Sequence, residues 1–173
     1  MGIFLLMPDE FESEGPDNLE EPPSFFPYDA DSVDRVPLDM GDPVEVRIDG
    51  VFRHDHGSES DHFVVLTDGE RRLPIVIGRF ESQAILLPME QHRPDRPMTH
   101  DLVRNIIERL GGTVDRVVID DLWNTTYYAK LYMQHSGEEI EIDARPSDAI
   151  ALAIRFEAPI YVSEGILESA TEE

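Results

Sequence analysis

The stretch Asp143-Ala-Arg-Pro-Ser-Asp-Ala-Ile-Ala-Leu-Ala-Ile-Arg155 decides the fold prediction for this chain. Pro146 suits the first position of a helix, where its missing N–H costs nothing and its fixed φ angle fits. Asp148 then falls in the first turn, where a carboxylate meets the positive end of the helix dipole. Ahead of this helix, residues 139–143 alternate between polar and apolar types, which is typical of a half-buried strand. The pattern therefore predicts a strand that delivers Arg145 to a helix N-terminus, a common place for anion binding.

The charged residues at this helix start allow two interpretations. In the structural one, Asp148 stabilises the first turn and Arg145 is its exposed ion-pair partner, since helix caps are common. In the functional one, the same two residues belong to a binding or catalytic site. The stretch alone does not choose between them.

An earlier part of the chain repeats this segment faintly. At an offset of 65 positions Ser147 matches Ser82, and the apolar residues around the two serines also match. The matching apolar pairs are Ala149 with Ala84, Ile150 with Ile85, Leu152 with Leu87, Ile142 with Ile77 and Ile140 with Ile75. Further upstream, the stretch 48–51 resembles the stretch 119–122 at a slightly different offset. We interpret this as an internal duplication, too weak and too long in period for a solenoid.

Each copy is predicted to read strand, strand, strand, helix. The first copy is expected at residues 44–52, 62–67, 72–77 and 80–90. The second is expected at residues 114–122, 127–134, 138–143 and 146–156. The Gly69 and Gly137 positions favour tight turns between alternating apolar runs. The predicted fold class is α+β, a single compact domain of two β3α-like units with an extra helix between them and a C-terminal helix.

The extra helix is predicted just after Arg96-Pro-Met-Thr-His-Asp-Leu102. Thr99 is a good N-cap residue, and the Gly111-Gly112 pair ends the helix. One apolar face is predicted from Leu102, Ile106, Ile107 and Leu110. His100 and Asp101 then lie in the first turn, close to whatever approaches that helix end.

Three of these motifs together carry a resemblance to a known family. They are Ile75-Val-Ile-Gly-Arg-Phe-Glu-Ser-Gln-Ala-Ile85, the stretch 96–102 quoted above, and Ile142-Asp-Ala-Arg-Pro-Ser-Asp-Ala-Ile-Ala-Leu152. In this order and spacing they resemble the bifunctional nuclease family, a bacterial domain of unknown function. The resemblance runs from about Val44 to Ala170, and Ser82 departs from it where alanine is more usual. The resemblance implies a compact α+β domain that usually self-associates. It also implies a nuclease that acts on DNA and RNA, and this function comes from the plant members of the family.

A nuclease site would draw on the charged residues of these motifs. Hard cations such as Mg²⁺ or Mn²⁺ prefer carboxylate and water oxygens and can steady the charge on a scissile phosphate. The residues expected to be catalytic are His100, Asp101, Asp143 and Asp148. The residues expected to bind substrate phosphate are Arg145 and Arg155, and the expected metal ligands are Glu81, Asp143 and Asp148. No organic cofactor is implied, and no Walker, HExxH or nucleophile-elbow motif is present.

Composition divides the chain into an arm, residues 1–43, and a domain, residues 44–173. The arm holds twelve carboxylates against Arg35 alone, with seven prolines, so we expect it to be extended or disordered. The aromatic cluster at residues 25–28 either anchors the arm to its own domain or docks on a neighbouring subunit or protein. The apolar stretch 1–8 lacks a basic region and is too short to span a bilayer, so a cytoplasmic location without membrane contact is the default expectation. The absence of cysteine excludes disulfides and thiolate metal sites.

Charge weighs against a simple nuclease. The net charge is −23, and because the arm accounts for −11, the domain keeps −12. Nucleic-acid binders normally present a basic surface, since phosphate neutralisation dominates their affinity. Two functions therefore stay open: a metal-dependent nuclease, and a non-catalytic oligomeric binding or regulatory module whose charged residues form a structural network. In both cases we expect a homodimer or higher homo-oligomer, because exposed sheet edges need covering.

Overall fold

The strands and helices from β1 to α3 occur in the predicted chain order. The computed structural model describes residues 40–57 and 59–170, so most of the arm and its aromatic cluster lie outside the described residues. The first run is β1 (Pro43–His56), β2 (Glu59–Thr67), β3 (Arg72–Ile77) and α1 (Arg79–Met89). After α2 (Thr99–Arg109), the second run is β4 (Gly112–Trp123), β5 (Thr126–His135), β6 (Glu138–Ala144) and α3 (Pro146–Phe156). The chain continues through β7 (Ile160–Ser163) and α4 (Glu164–Ser169). The α+β class is confirmed.

All seven strands belong to one sheet in the order β3-β2-β1-β7-β4-β5-β6. The short strand β7 lies in the middle, antiparallel to β1 and parallel to β4. The two β-hairpin runs therefore lie on either side of β7, with β3 and β6 as the two edge strands. Strand β7 is not predictable from the sequence pattern, because its four residues are too few to show a period.

Both long first strands carry an irregularity at the same place in their motif. The pairing of β1 with β2 shifts between Ile48 and Gly50, and the pairing of β4 with β5 shifts between Ile119 and Asp121. Each shift is a β-bulge or comparable irregularity, which bends a strand and increases its twist. The resemblance between residues 48–51 and residues 119–122 thus coincides with a shared backbone feature.

Helix α3 packs at the centre of the helical layer. Its residues 149–153 are all buried, and they pack toward β4 and β5, whose inner face includes Ile119 and Leu131. Alanines at positions 149, 151 and 153 keep this helix thin, so α1 and α2 can both pack against it. The core that fixes the relative positions of the three helix starts is therefore built around α3.

Helix α2 differs from its prediction in two ways. Met98, not Thr99, occupies the N-cap, and the backbone N–H of Met98 donates to the Asp101 carboxylate at 2.9 Å. Of the predicted apolar face only Ile107 is buried, while Leu102, Ile106 and Leu110 are exposed. A helical period identifies the apolar side of a helix but does not show which residues cover that side.

Among the described residues no helix is long and apolar enough to cross a bilayer.

Candidate functional site

Three carboxylates occupy the same position in three helices. Glu81, Asp101 and Asp148 are each the third residue of α1, α2 and α3. A carboxylate in a first helical turn is stabilised by the helix dipole, which explains why each acid suits its own helix. Glu81 accepts a hydrogen bond from Arg145, Asp101 accepts one from Arg155 of α3, and Asp148 accepts one from Arg145, the N-cap residue of its own helix. The helix starts are therefore joined by charge as well as by packing.

Arg145 joins α1 to α3. It is the N-cap residue of α3, its Nε donates to Asp148 Oδ2 at 2.8 Å, and its Nη1 donates to Glu81 Oε1 at 3.2 Å. The hydrogen bond to Asp148 is the main cause of a raised pKa for this guanidinium, and Glu81 adds to it. The side chain is still 66% exposed, and its Nη2 donates no hydrogen bond to any described residue. Arg145 is thus held in one orientation while part of its fork stays open.

His100 approaches the same carboxylate from α2. Its Nε2 lies 3.0 Å from Asp148 Oδ1, so both oxygens of Asp148 have a partner. Burial pushes the pKa of Asp148 upward, but the hydrogen bonds from Arg145 and His100 outweigh burial and leave the pKa below its usual value. Asp148 is therefore ionised at neutral pH and serves as the junction between α2 and α3.

Arg155 forms a second, interior junction. Its Nε donates to Asp101 Oδ1 at 2.6 Å, and its Nη1 donates to the carbonyl oxygens of Ala84 and Ala151 at 2.8 Å each. The Arg155 side chain is only 4% exposed. Burial raises the pKa of Asp101, but the hydrogen bonds from Arg155 and from the Met98 N–H lower it by more, so the pKa is below its usual value. Arg155 therefore ties α1, α2 and α3 together, and a phosphate could reach it only if these bonds opened.

Asp143 lies apart from both junctions. In the β5–β6 register it is opposite Lys130, whereas its neighbour Ile142 is opposite the buried Leu131. Because successive strand residues point to opposite faces, Asp143 faces away from the side of the sheet that Leu131 buries. The structure thus brings Glu81, Asp148 and His100 together around Arg145 and leaves Asp143 on the other face.

The predicted ligand set does not converge as a metal site would. Within residues 40–57 and 59–170, no three or more His, Asp and Glu side chains are arranged to hold a metal ion. Glu81 and Asp148 are bridged by Arg145, and Asp143 lies elsewhere. The three expected ligands do not fit a ready-made cation site.

Next to Arg145 lies an open cleft of about 710 Å³. Four parts of the fold form its walls. The edge strand β3 contributes residues 74–77, and the end of the β4–β5 hairpin contributes Leu122 and residues 125–127. The start of α1 contributes Gly78 and Glu81, and the start of α3 contributes residues 145–147. A volume of this size is within the range of about 300–1,000 Å³ usual for small-ligand sites. Asp148 and His100 do not line it, so they lie behind Arg145 and not on the cleft wall.

Gly78 and Ser147 line the cleft and are not among the site residues predicted from the sequence. A Cβ on Gly78 would overlap the Glu81 carboxylate, so glycine lets that acid fold back over the α1 N-terminus. Ser147 follows Pro146 in the first turn of α3 and could have been found as a first-turn hydroxyl. The cleft itself could not, because strands far apart in sequence form its walls.

Comparisons with known proteins agree with the resemblance seen in the motifs. Residues 64–173 match a family model described as the bifunctional nuclease domain. The uncharacterized protein Rv1829 of Mycobacterium tuberculosis (strain ATCC 25618 / H37Rv) is 40% identical over 126 residues, which cover 73% of this chain and 75% of that protein. Bifunctional nuclease 1 of Oryza sativa subsp. indica is 35% identical over 115 residues, 63% of this chain. Bifunctional nuclease 2 of Arabidopsis thaliana is 30% identical over 95 residues, 53% of this chain. The matches cover only 35% and 29% of these two plant proteins.

Proposed function

This chain belongs to the bifunctional nuclease domain family, and from that premise we propose that it hydrolyses phosphodiester bonds of nucleic acid in the cleft beside Arg145. One observation carries the proposal. Arg145 lines the cleft, is held by carboxylates of two different helices, and keeps its Nη2 open. A pre-oriented guanidinium with a free donor is suited to a phosphate oxygen.

Arg145 would stabilise the transition state. Phosphoryl transfer gathers negative charge on the oxygens around phosphorus, and catalysis depends mainly on groups that are already in position to meet that charge. Since Asp148 and Glu81 orient the guanidinium before substrate arrives, little reorganisation is needed at the moment of reaction. Asp148 and His100 act through Arg145 and are positioning residues in this scheme.

Glu81 is the carboxylate on the cleft wall and would accept the proton of the attacking water. The water oxygen forms a bond to phosphorus, the bond from phosphorus to the leaving sugar oxygen breaks, and that oxygen takes a proton from solvent. General-base assistance of this kind contributes about 10²–10⁴ in rate. The hydrogen bond from Arg145 keeps Glu81 beside the phosphate.

The expected Mg²⁺ or Mn²⁺ enters this proposal only as a co-substrate. Because the described residues offer a cation one cleft-lining carboxylate and no ligand cluster, the steps above use side chains of the chain alone. Mg²⁺ often binds through one or two carboxylates together with substrate phosphates. A cation that arrives with the substrate is therefore compatible with Glu81.

The proposal is tested by cleavage assays on the purified full chain. Single-stranded and double-stranded DNA and RNA are incubated with Mg²⁺, with Mn²⁺ or with a chelator, beside Arg145→Gln and Glu81→Gln. Arg104→Gln is the matched control, because Arg104 pairs with Glu108 within α2, lies over the Phe156 ring and does not line the cleft. We expect Arg145→Gln to lose about 100-fold or more in rate. If the parent cleaves no substrate, or if Arg145→Gln cleaves as fast as Arg104→Gln, the proposal is wrong.

A non-catalytic binding or regulatory module is the second candidate. This candidate is favoured because the charged side chains at the helix starts are already paired with one another. Both oxygens of Asp148 and both of Asp101 have hydrogen-bond partners, and Arg155 is buried. A network that serves only to join the helices would show no cleavage in the assay, and its variants would lose stability. The same set of variants therefore separates the two functions.

A further inference from the structure

Ser147 places an unused hydroxyl at the cleft. The residue is only 7% exposed, and its Oγ makes no hydrogen bond to any described residue. Among the described residues, every side-chain nitrogen or oxygen that is fully buried has a hydrogen-bond partner. Because the Ser147 Oγ has no partner, it must be in contact with solvent. Ser147 lines the cleft, so this contact is on the cleft side. Ser82, equally buried in the first turn of α1, instead donates to the Arg79 carbonyl at 2.7 Å. Within residues 40–57 and 59–170, the Ser147 hydroxyl therefore makes no hydrogen bond that stabilises the fold.

This hydroxyl lies at the same end of the cleft as the open donor of Arg145. The two residues are the N-cap and the second residue of α3, an eleven-residue helix whose N-terminal dipole favours a negative charge. A fixed guanidinium, a free hydroxyl and a helix start together form the polar end of a binding site for a phosphate oxygen.

The other walls of the cleft carry apolar residues beside Thr125 and Thr126. Val76 of β3 is 69% exposed on one side, and Leu122 and Tyr127 line the wall formed by the hairpin. An exposed valine and a tyrosine on the walls of one cleft suit a flat, largely apolar group such as a nucleobase, which stacks on aromatic side chains. The cleft thus offers one polar end and one end suited to a base.

The charge of the cleft and of the domain restricts the type of phosphate ligand further. Glu81 shares the polar end with Arg145, and the domain carries −12, so a dianionic terminal phosphate is repelled more than a monoanionic diester. A duplex needs a run of basic groups along its backbone, and the longest basic run in this chain is Arg71-Arg72. Charge therefore favours an unpaired strand that meets the protein at a single diester.

A peptide strand is the competing occupant, because β3 is an edge strand. Pro74 lies in the middle of β3 and has no N–H to donate. Proline on an edge strand blocks pairing with a further strand. The β3 edge is therefore poorly suited to bind an extended peptide through its backbone.

From these features we propose that the cleft binds one unpaired nucleotide unit of a single strand, with its phosphodiester on Arg145 and Ser147 and its base between Val76 and Tyr127. The inference rests on the proposed function and specifies its substrate class. It makes Ser147 a substrate-binding residue and Val76 a residue that selects for the base.

The test measures binding without turnover. NMR titration uses the full chain with Glu81→Gln, which removes the proposed general base, in the presence of a chelator. Its four probes are the thymidine dinucleoside monophosphate, a single-stranded oligothymidylate, its duplex with oligoadenylate, and inorganic phosphate. We expect saturable binding of the two single-stranded probes only. Ser147→Ala should weaken that binding about tenfold or more, since a hydrogen bond to a charged group is lost. Val76→Ser should weaken it roughly three- to tenfold.

Two matched variants serve as controls. Ser82→Ala removes an equally buried first-turn hydroxyl, and Phe52→Ser removes an exposed apolar side chain of β1 that does not line the cleft. Neither should change binding of the single-stranded probes. Ser147→Ala should also keep the parental thermal midpoint, because its hydroxyl has no partner in the described fold.

Each outcome decides the inference. It is overturned if no probe binds saturably, if inorganic phosphate or the duplex binds as tightly as the single strand, or if an uncharged extended peptide displaces the oligothymidylate. It is also overturned if Ser147→Ala and Val76→Ser bind like the parent. Binding without cleavage in the assay above would reject the proposed function and keep this inference. If Ser147→Ala and Val76→Ser both cleave at the parental rate, the proposed function is kept and this inference is rejected.

Discussion

Glu81 and Asp148 are the third residues of two different helices, and one guanidinium, that of Arg145, donates a hydrogen bond to each of them. The two acids therefore hold equivalent positions in their helices, although the sequence repeat at an offset of 65 residues aligns Asp148 two positions away from Glu81. Their environments differ, because Glu81 lines the cleft and Asp148 lies behind Arg145 against His100. Equivalent positions thus carry different roles in our proposal: Glu81 faces substrate and Asp148 fixes the arginine.

Arg145→Lys should separate function from stability. The side chain is mostly exposed, and exposed ion pairs contribute only about 0–1 kcal/mol, so the free energy of unfolding should change by less than about 1 kcal/mol. Lysine cannot reproduce the fork, so binding of a single-stranded oligonucleotide should weaken at least several-fold. Denaturant unfolding and binding titration of the same preparation check both effects. A loss of stability above about 3 kcal/mol with unchanged binding would favour the structural role.

Arg155→Met should destabilise the domain strongly. The change removes the guanidinium that donates to Asp101 Oδ1 and to the carbonyls of Ala84 and Ala151, and breaking a buried pair costs about 3–5 kcal/mol. Because Asp101 keeps about a third of its side chain exposed, we expect the lower end of that range. Adding Asp101→Asn should recover part of the loss, since no uncompensated charge then remains. Urea unfolding measures all three proteins, and a loss no larger than that of Arg104→Met would contradict a structural role.

Acid stability should depend on Asp148. Its pKa in the folded state is below the unfolded value of about 3.9, so it stabilises the fold fully above that pH. This contribution is lost as the pH falls through the folded pKa. Asp148→Asn should therefore flatten the decline of unfolding free energy below about pH 4 relative to the parent chain. Chemical unfolding across the acid range checks this, and identical acid slopes for the variant and the parent would contradict it.

The exposed side of α2 should mediate self-association. Leu102, Ile106 and Leu110 recur every four residues, and all three are exposed in the chain as described. An apolar stripe of this kind is typical of a helix that packs against a partner. We expect light scattering to return at least twice 19.7 kDa, and Ile106→Glu to return the monomer mass. A parental chain that is monomeric at micromolar concentration would defeat this prediction.

The arm should be dispensable up to residue 39 and not beyond it. The Met40 carbonyl accepts a hydrogen bond from the Gly165 N–H at 2.7 Å, and the Asp42 carbonyl accepts one from the Glu164 N–H at 3.0 Å. Deleting residues 1–39 keeps these bonds, so the thermal midpoint should fall by less than about 10 °C. Deleting residues 1–43 removes them together with the first residue of β1 and should cost more. Calorimetry of the two truncations provides the comparison.

Local signals in the sequence were enough to predict several elements and the family. Helix α3 begins and ends at the predicted residues, Pro146 and Phe156, because a proline at the first position and a continuous apolar run act over short range. Strand β3 likewise matches its prediction at residues 72–77. The three ordered motifs indicated the family that the comparisons confirm.

The tertiary structure alone decided which charged residues meet and which face solvent. Arg145 and Arg155 lie on one helix segment and look alike in sequence, yet one is open to the cleft and the other is buried among three helices. Asp143 stands five residues before Asp148, but strand alternation turns it to the other face of the sheet. Sequence periods report which side of an element is apolar, whereas burial, pairing and the walls of a cleft depend on neighbours that are distant in the chain. The site therefore emerges only when β7 joins the two halves and α3 brings the three helix starts together.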